Sequence, residues 1–188
     1  MLRTILIAVC LVISCGMNGI AAPQNARPAF KGTMLIQWTD EQRFIYVSSA
    51  ADPLRFVTSG GIEVRPGRIY TDGGSIPRVF WSVKGFSPWG YGPAYLIHDW
   101  LFHQHRCGLD AVPNKFSMAQ ANVILDEAIG TLMKEKRVTT NSRTRALIKW
   151  AVDNFAATAW NEPCDPEPPS ESTKLGGTPP VTVGEIKF

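Results

Sequence analysis

The chain has 188 residues, 45% of them hydrophobic, with six tryptophans and a formal net charge of +3. That suits one domain with a substantial core plus terminal segments. Its basic residues are scattered apart from "KEKR" at 134–137 and "RTR" at 143–145, which gives no stripe for a polyanion. The chain also has no phosphate-cradling glycine loop ahead of a helix, so neither nucleic acid nor a nucleotide is expected as a partner.

Residues 1–22 read as a signal peptide. "MLRT" supplies a positive charge, and "ILIAVCLVIS" is an apolar run far short of the roughly 20 residues that span a bilayer. Two exits stand open. "VISC" ends a lipobox at Cys15, whose acylation would be the chain's one link to a membrane. "GIAA" at 19–22 offers an ordinary cleavage site. Either way the protein is expected to be exported, periplasmic or secreted. Cys10 and Cys15 belong to the leader, so Cys107 and Cys164 remain as an even pair in an oxidising compartment and predict a disulfide.

Residues 30–162 are expected to form a single globular domain of the α+β class, a small antiparallel sheet over 33–72 packed on a bundle of three helices. "TMLIQW", "RFIYVS", "LRFVTS" and "GIEVRPGRIYTDGG" alternate or carry β-branched and aromatic residues between turn signals. "SIPRVFW" reads as one helical turn capped by Ser75. The first long helix opens with Pro93, stops at Gly108 and is apolar nearly all round, which predicts a central position. The second starts at Ser117 with Gln120 three residues on, a capping box. The third covers about 142–160 and carries Ala146, Leu147, Trp150, Phe155 and Trp160 as its core face. From 163 to 188, proline, glycine, serine and charge predict a tail without order.

Chemistry is concentrated in two stretches, "YTDGGSIP" and "AYLIHDWLF". His98 shares a helix face with Leu101 and Phe102, and Asp99 sits about 100° round from it. Burying a carboxylate and an imidazole side by side requires partners for both. Asp72, Ser75, Asn122 and Asp126 are the candidates. Two readings follow. In one, His98 is a base or ligand, with Asp99 and Asp72 orienting it or binding a cation and Ser75 a minor contact. In the other, the same groups form a polar clasp that bolts sheet to helices. His103 reads as a helix-end surface residue. The aromatic segment "WSVKGFSPWGYGPAY", with Trp81, Phe86, Trp89 and Tyr91, reads as a lid over the core.

"IEVRPGRIYTDGGSIPRVFW" followed by "AYLIHDWLF" resembles domain-of-unknown-function family 1353 of bacteria and their phages, over roughly 30–160. The resemblance marks Thr71, Asp72, Ser75, Pro77, His98, Asp99 and Trp100. Where that family usually carries alanine-aspartate on the following helix, this chain has Ala121-Asn122. The metal set expected on this basis is Asp72, His98, Asp99 and Asn122 around a divalent cation, with a charge lost at 122. Secreted calcium-dependent phospholipases offer an analogy of parts: a glycine-rich loop, a helical His-Asp doublet and a second-helix acid steadying the histidine. The functional expectation is a hydrolase-like, metal-assisted site of Asp72, His98, Asp99 and Ser75 acting on cell-envelope material. The alternative is an envelope or phage-related binding protein without catalysis.

Overall fold

The structure, a computed structural model, describes residues 26–38, 44–71, 91–109, 115–165, 168 and 181–188. The leader with Cys15, the turn bearing Asp72, Ser75 and Pro77, and Trp81, Phe86 and Trp89 lie outside the described residues. The elements in chain order are strands β1 (Ala29–Lys31), β2 (Thr33–Trp38), β3 (Phe44–Ser48), β4 (Arg55–Val57), β5 (Glu63–Val64) and β6 (Ile69–Thr71). Helices α1 (Gly92–Arg106), α2 (Met118–Lys134), α3 (Ser142–Phe155) and α4 (Ala157–Trp160) follow, and strand β7 is Val181–Lys187. The fold is α+β, with helices packed against antiparallel sheet.

The strands form two sheets rather than the single one expected from the sequence. One has the order β1-β4-β5 and the other β6-β3-β2-β7. Gly32 makes the crossing from β1 to β2 at φ +87°, and a side chain there would lie 2.2 Å from the Pro53 carbonyl oxygen. Only glycine tolerates both conditions. In the second sheet β2 and β3 pair in register through Leu35–Val47 and Ile36–Tyr46, and β3 pairs β6 through Ile45–Tyr70. The expectation of an unordered tail from 163 onward does not extend to β7. "VTVGEIK" pairs antiparallel with β2, and the Phe188 ring stacks on Phe30 at 5.0 Å. Its β-branched residues suit a strand once β2 offers an edge, a partner that local composition does not reveal.

One apolar core lies between sheets and helices, built from Tyr46, Leu54, Phe56, Ile69, Tyr95, Leu96, Ile97, Leu101 and Leu125 among others. Helix α1 is its axis, buried on nearly every face from Gly92 to His103. Pro93 stands in its first turn, and Gly108 ends it at φ +63°, the left-handed conformation a helix stop favours. Helix α2 has the expected box: the Gln120 N–H donates to Ser117 Oγ at 3.2 Å, and the Ser117 N–H donates to Gln120 Oε1 at 2.9 Å.

The third helical stretch departs from expectation twice. It breaks at Ala156 into α3 and α4, and its inward face is Thr144, Ile148, Ala151 and Val152. Ala146, Leu147, Trp150 and Phe155 lie outside, Trp150 being 49% exposed with its ring edge-on to Phe155 at 5.4 Å. Small and β-branched residues let α3 lie close to α2, so bulk is a poor guide to the buried side here. Cys107 and Cys164 form the predicted disulfide, with Cα atoms 4.7 Å apart. It joins the end of α1 to the segment after α4, beside the Arg106–Asp165 ion pair (2.6 Å) and the His105–Trp160 stack (3.9 Å).

Candidate functional site

Helix geometry turns the neighbours His98 and Asp99 toward different layers. His98 is 1% exposed and lies tilted against the Phe102 ring at 4.3 Å. Its Nε2 meets Asn122 Oδ1 on α2 at 2.9 Å. The other end of that amide donates from Nδ2 to Asp153 Oδ1 on α3 at 3.2 Å, and Lys149 Nζ donates to Asp153 Oδ2 at 2.5 Å. The Asp153 carboxylate accepts only, so it sets the amide's orientation: Oδ1 must face the ring. His98 therefore donates from Nε2 and keeps the lone pair on Nδ1. Burial lowers its pKa from 6.5 to about 4, against the Asn122 hydrogen bond that favours the charged form. The imidazole is neutral at ordinary pH.

Asp99 faces the sheet. Thr71 Oγ1, at the end of β6, donates to Asp99 Oδ2 at 3.1 Å. One helical turn earlier on the same face, the Tyr95 hydroxyl is buried without a hydrogen-bond partner among the described residues. Burial holds its pKa above the usual phenol range, with further upward pressure from Tyr91 and the Asp99 carboxylate. Thr71 directly precedes Asp72 in the chain, so the two motif stretches meet at a described hydrogen bond although Asp72 and Ser75 lie outside the described residues. The arrangement is an imidazole oriented by a charged relay, with a carboxylate at the next helical position tied to Thr71 at the end of β6.

Among the described residues no group of three or more His, Cys, Asp or Glu side chains is placed to hold a metal ion. Both heteroatoms of Asn122 are engaged by His98 and Asp153, and the expected set otherwise depends on Asp72. Asp126 does not reach His98. It takes Arg145 bidentately, Nε to Oδ1 and Nη2 to Oδ2, both at 2.7 Å. His103 is 4% exposed and stacks on Trp100 at 5.6 Å, so the surface reading of it is overturned. The face carrying Tyr91, Tyr95 and Asp99 continues to it, and an inward position follows from that spacing. Asp153 escaped the sequence reading. With Lys149 four residues before it, it has the pattern of an ordinary exposed helix pair, and only the packing of α3 on α2 brings it to Asn122.

These features define an α+β protein with a buried His-Asp helix clasped between a sheet and two further helices. The chain belongs to the family described as Protein of unknown function (DUF1353), which it matches over residues 51–152, more than half of its length and inclusive of α1, α2 and most of α3. No curated protein and no solved structure matches it significantly.

Proposed function

We propose that the protein is an exported hydrolase acting on cell-envelope material, with His98 as the base that activates water through Nδ1. Asn122 and Asp153 hold the ring in the required tautomer. Asp99, with Asp72, orients the reacting groups, and Ser75 is a minor contact. The single observation carrying this reading is the Asp153–Asn122–His98 relay. An amide fixed by a carboxylate presents its oxygen to Nε2 and so reserves Nδ1 as proton acceptor. The relay also supplies, one residue further away, the negative charge that asparagine at 122 lacks. The Cys107–Cys164 bond supports an oxidising compartment for the mature chain.

The test uses the purified mature protein against a short-chain p-nitrophenyl ester, phosphatidylglycerol vesicles and isolated peptidoglycan. His98→Asn should lower turnover by about 10² to 10⁴-fold while circular dichroism stays native. Equal activity in the variant, or a folded wild type inert on all three substrates, would overturn the proposal. A second reading, the clasp without catalysis, is favoured by the 1% exposure of both His98 and Asn122. In that case His98→Asn destabilises an inert protein.

A further inference from the structure

One stripe of α2 faces a cavity rather than the core. Asp126, Glu127, Gly130 and Lys134 recur at helical spacing, about 100° round from Asn122. With Arg145 of α3 and Ser59, two residues past β4, they line a space of about 390 Å³. Small-ligand sites begin at about 300 Å³. Ser59, Lys134 and Val123, the last 57% exposed, also border it and are open to solvent, so a ligand has a way in.

The polar groups in this space are held ready. Asp126 takes Nε and Nη2 of Arg145, both at 2.7 Å, and so fixes the guanidinium over Gly130, where an added side chain would collide with Nη1. Glycine is a poor helix former, and here it gives the guanidinium its seat. Nη1 has no partner among the described residues, and neither has Lys134 Nζ one turn further on. Glu127 accepts the Ser59 N–H through Oε1 at 2.8 Å, and its Oε2 accepts nothing from the described residues. Since Asp126 and Arg145 neutralise each other, the uncompensated charges are the Glu127 carboxylate and the Lys134 ammonium. They stand about 10 Å apart along the helix, with Nη1 between them. The complementary ligand carries an ammonium at one end and a carboxylate at the other. A free amino acid is too short to reach both. An extended peptide gains at most about 3.6 Å per residue, so two or three residues bridge the gap.

We propose that this cavity binds a short peptide with both ends free, its ammonium at Glu127 Oε2 and its carboxylate between Arg145 Nη1 and Lys134 Nζ. The inference is independent of the hydrolase reading and concerns a different face of the molecule from His98. Trialanine, its C-terminal amide, N-acetyl-trialanine and free alanine are titrated into the purified mature protein at constant ionic strength, followed by calorimetry and thermal unfolding. Trialanine should bind and raise the melting temperature. Each blocked form should bind about tenfold or more weakly, and alanine should give no response. Lys134→Gln should lose the preference for the free carboxylate. Glu127→Gln, which keeps an oxygen for the Ser59 N–H, should lose the preference for the free ammonium. Gly130→Ala favours the helix but pushes Nη1 off its seat, and should weaken binding in a folded protein. His98→Asn should bind as the wild type does. No response to millimolar trialanine, equal binding of the blocked forms, or unchanged binding in the three cavity variants would overturn the assignment. Displacement of the peptide by equimolar inorganic phosphate would also overturn it, leaving a bare anion site.

Discussion

Replacing His98 with glutamine should alter the response of stability to acid more than it alters stability at neutrality. The glutamine amide can still donate toward Asn122 Oδ1, but it takes up no proton. In the wild type, burial holds the folded ring's pKa at about 4 against 6.5 for a free histidine. Between those values the unfolded chain binds a proton that the folded chain refuses. The histidine's share of stability is therefore intact above pH 6.5 and is lost as pH falls toward 4. At about 1.4 kcal/mol per pH unit the loss across that interval comes to about 3 kcal/mol. Urea unfolding followed by tryptophan fluorescence at pH 7.5, 6.5, 5.5 and 4.5 measures it. The charged groups around the ring, Asp99, Asp153 and Lys149, are common to both proteins and cancel in the difference. Wild type minus variant should drop steadily through this range. Parallel curves would mean that the ring takes a proton freely in the folded protein, and the buried neutral imidazole would be refuted.

Reducing the disulfide, or replacing Cys107 and Cys164 with serine, opens a loop of 57 residues and should cost about 4 kcal/mol by chain entropy, read as a fall in melting temperature with dithiothreitol; an unchanged melt would count against it. Gly67→Ala drives a methyl group into the Trp100 ring and should cost about 1–3 kcal/mol, with a changed tryptophan spectrum. Asp153→Leu releases the Asn122 amide at a cost of about 1 kcal/mol, and loss of the slowly exchanging His98 Nε2 proton in the NMR spectrum should report the freed amide.

Much of the helical framework was legible because its signals are local. Pro93, Gly108 and the Ser117–Gln120 box each act within one turn, and an apolar run on all sides of α1 has no stable place but the centre. A buried Asp99 needs a donor, and Thr71 supplies it, while Asp72 and Ser75, the partners expected from that stretch, lie outside the described residues. What escaped depends on partners distant in sequence. Strand β7 is ordered by β2, nearly 150 residues earlier, and Asp153 joins the site only through the approach of α3 to α2. Bulk points to the wrong face of α3, because close helix contact selects small residues for the buried side. Two sheets form in place of one because Gly32 lets the chain cross over a carbonyl, a feature of backbone proximity that no alternation pattern encodes.

The opposed hydrogen bonds of His98 and Asp99 also index α1 about its own axis. A slip of one residue would turn the helix by about 100° and advance it by about 1.5 Å. Apolar neighbours would accept that with modest repacking, since α1 is greasy all round. The imidazole and the carboxyl would not, because each would be left facing hydrocarbon. Adjacent polar keys cut at different angles, with a covalent pin at Cys107, thus give a nearly featureless shaft one permitted setting.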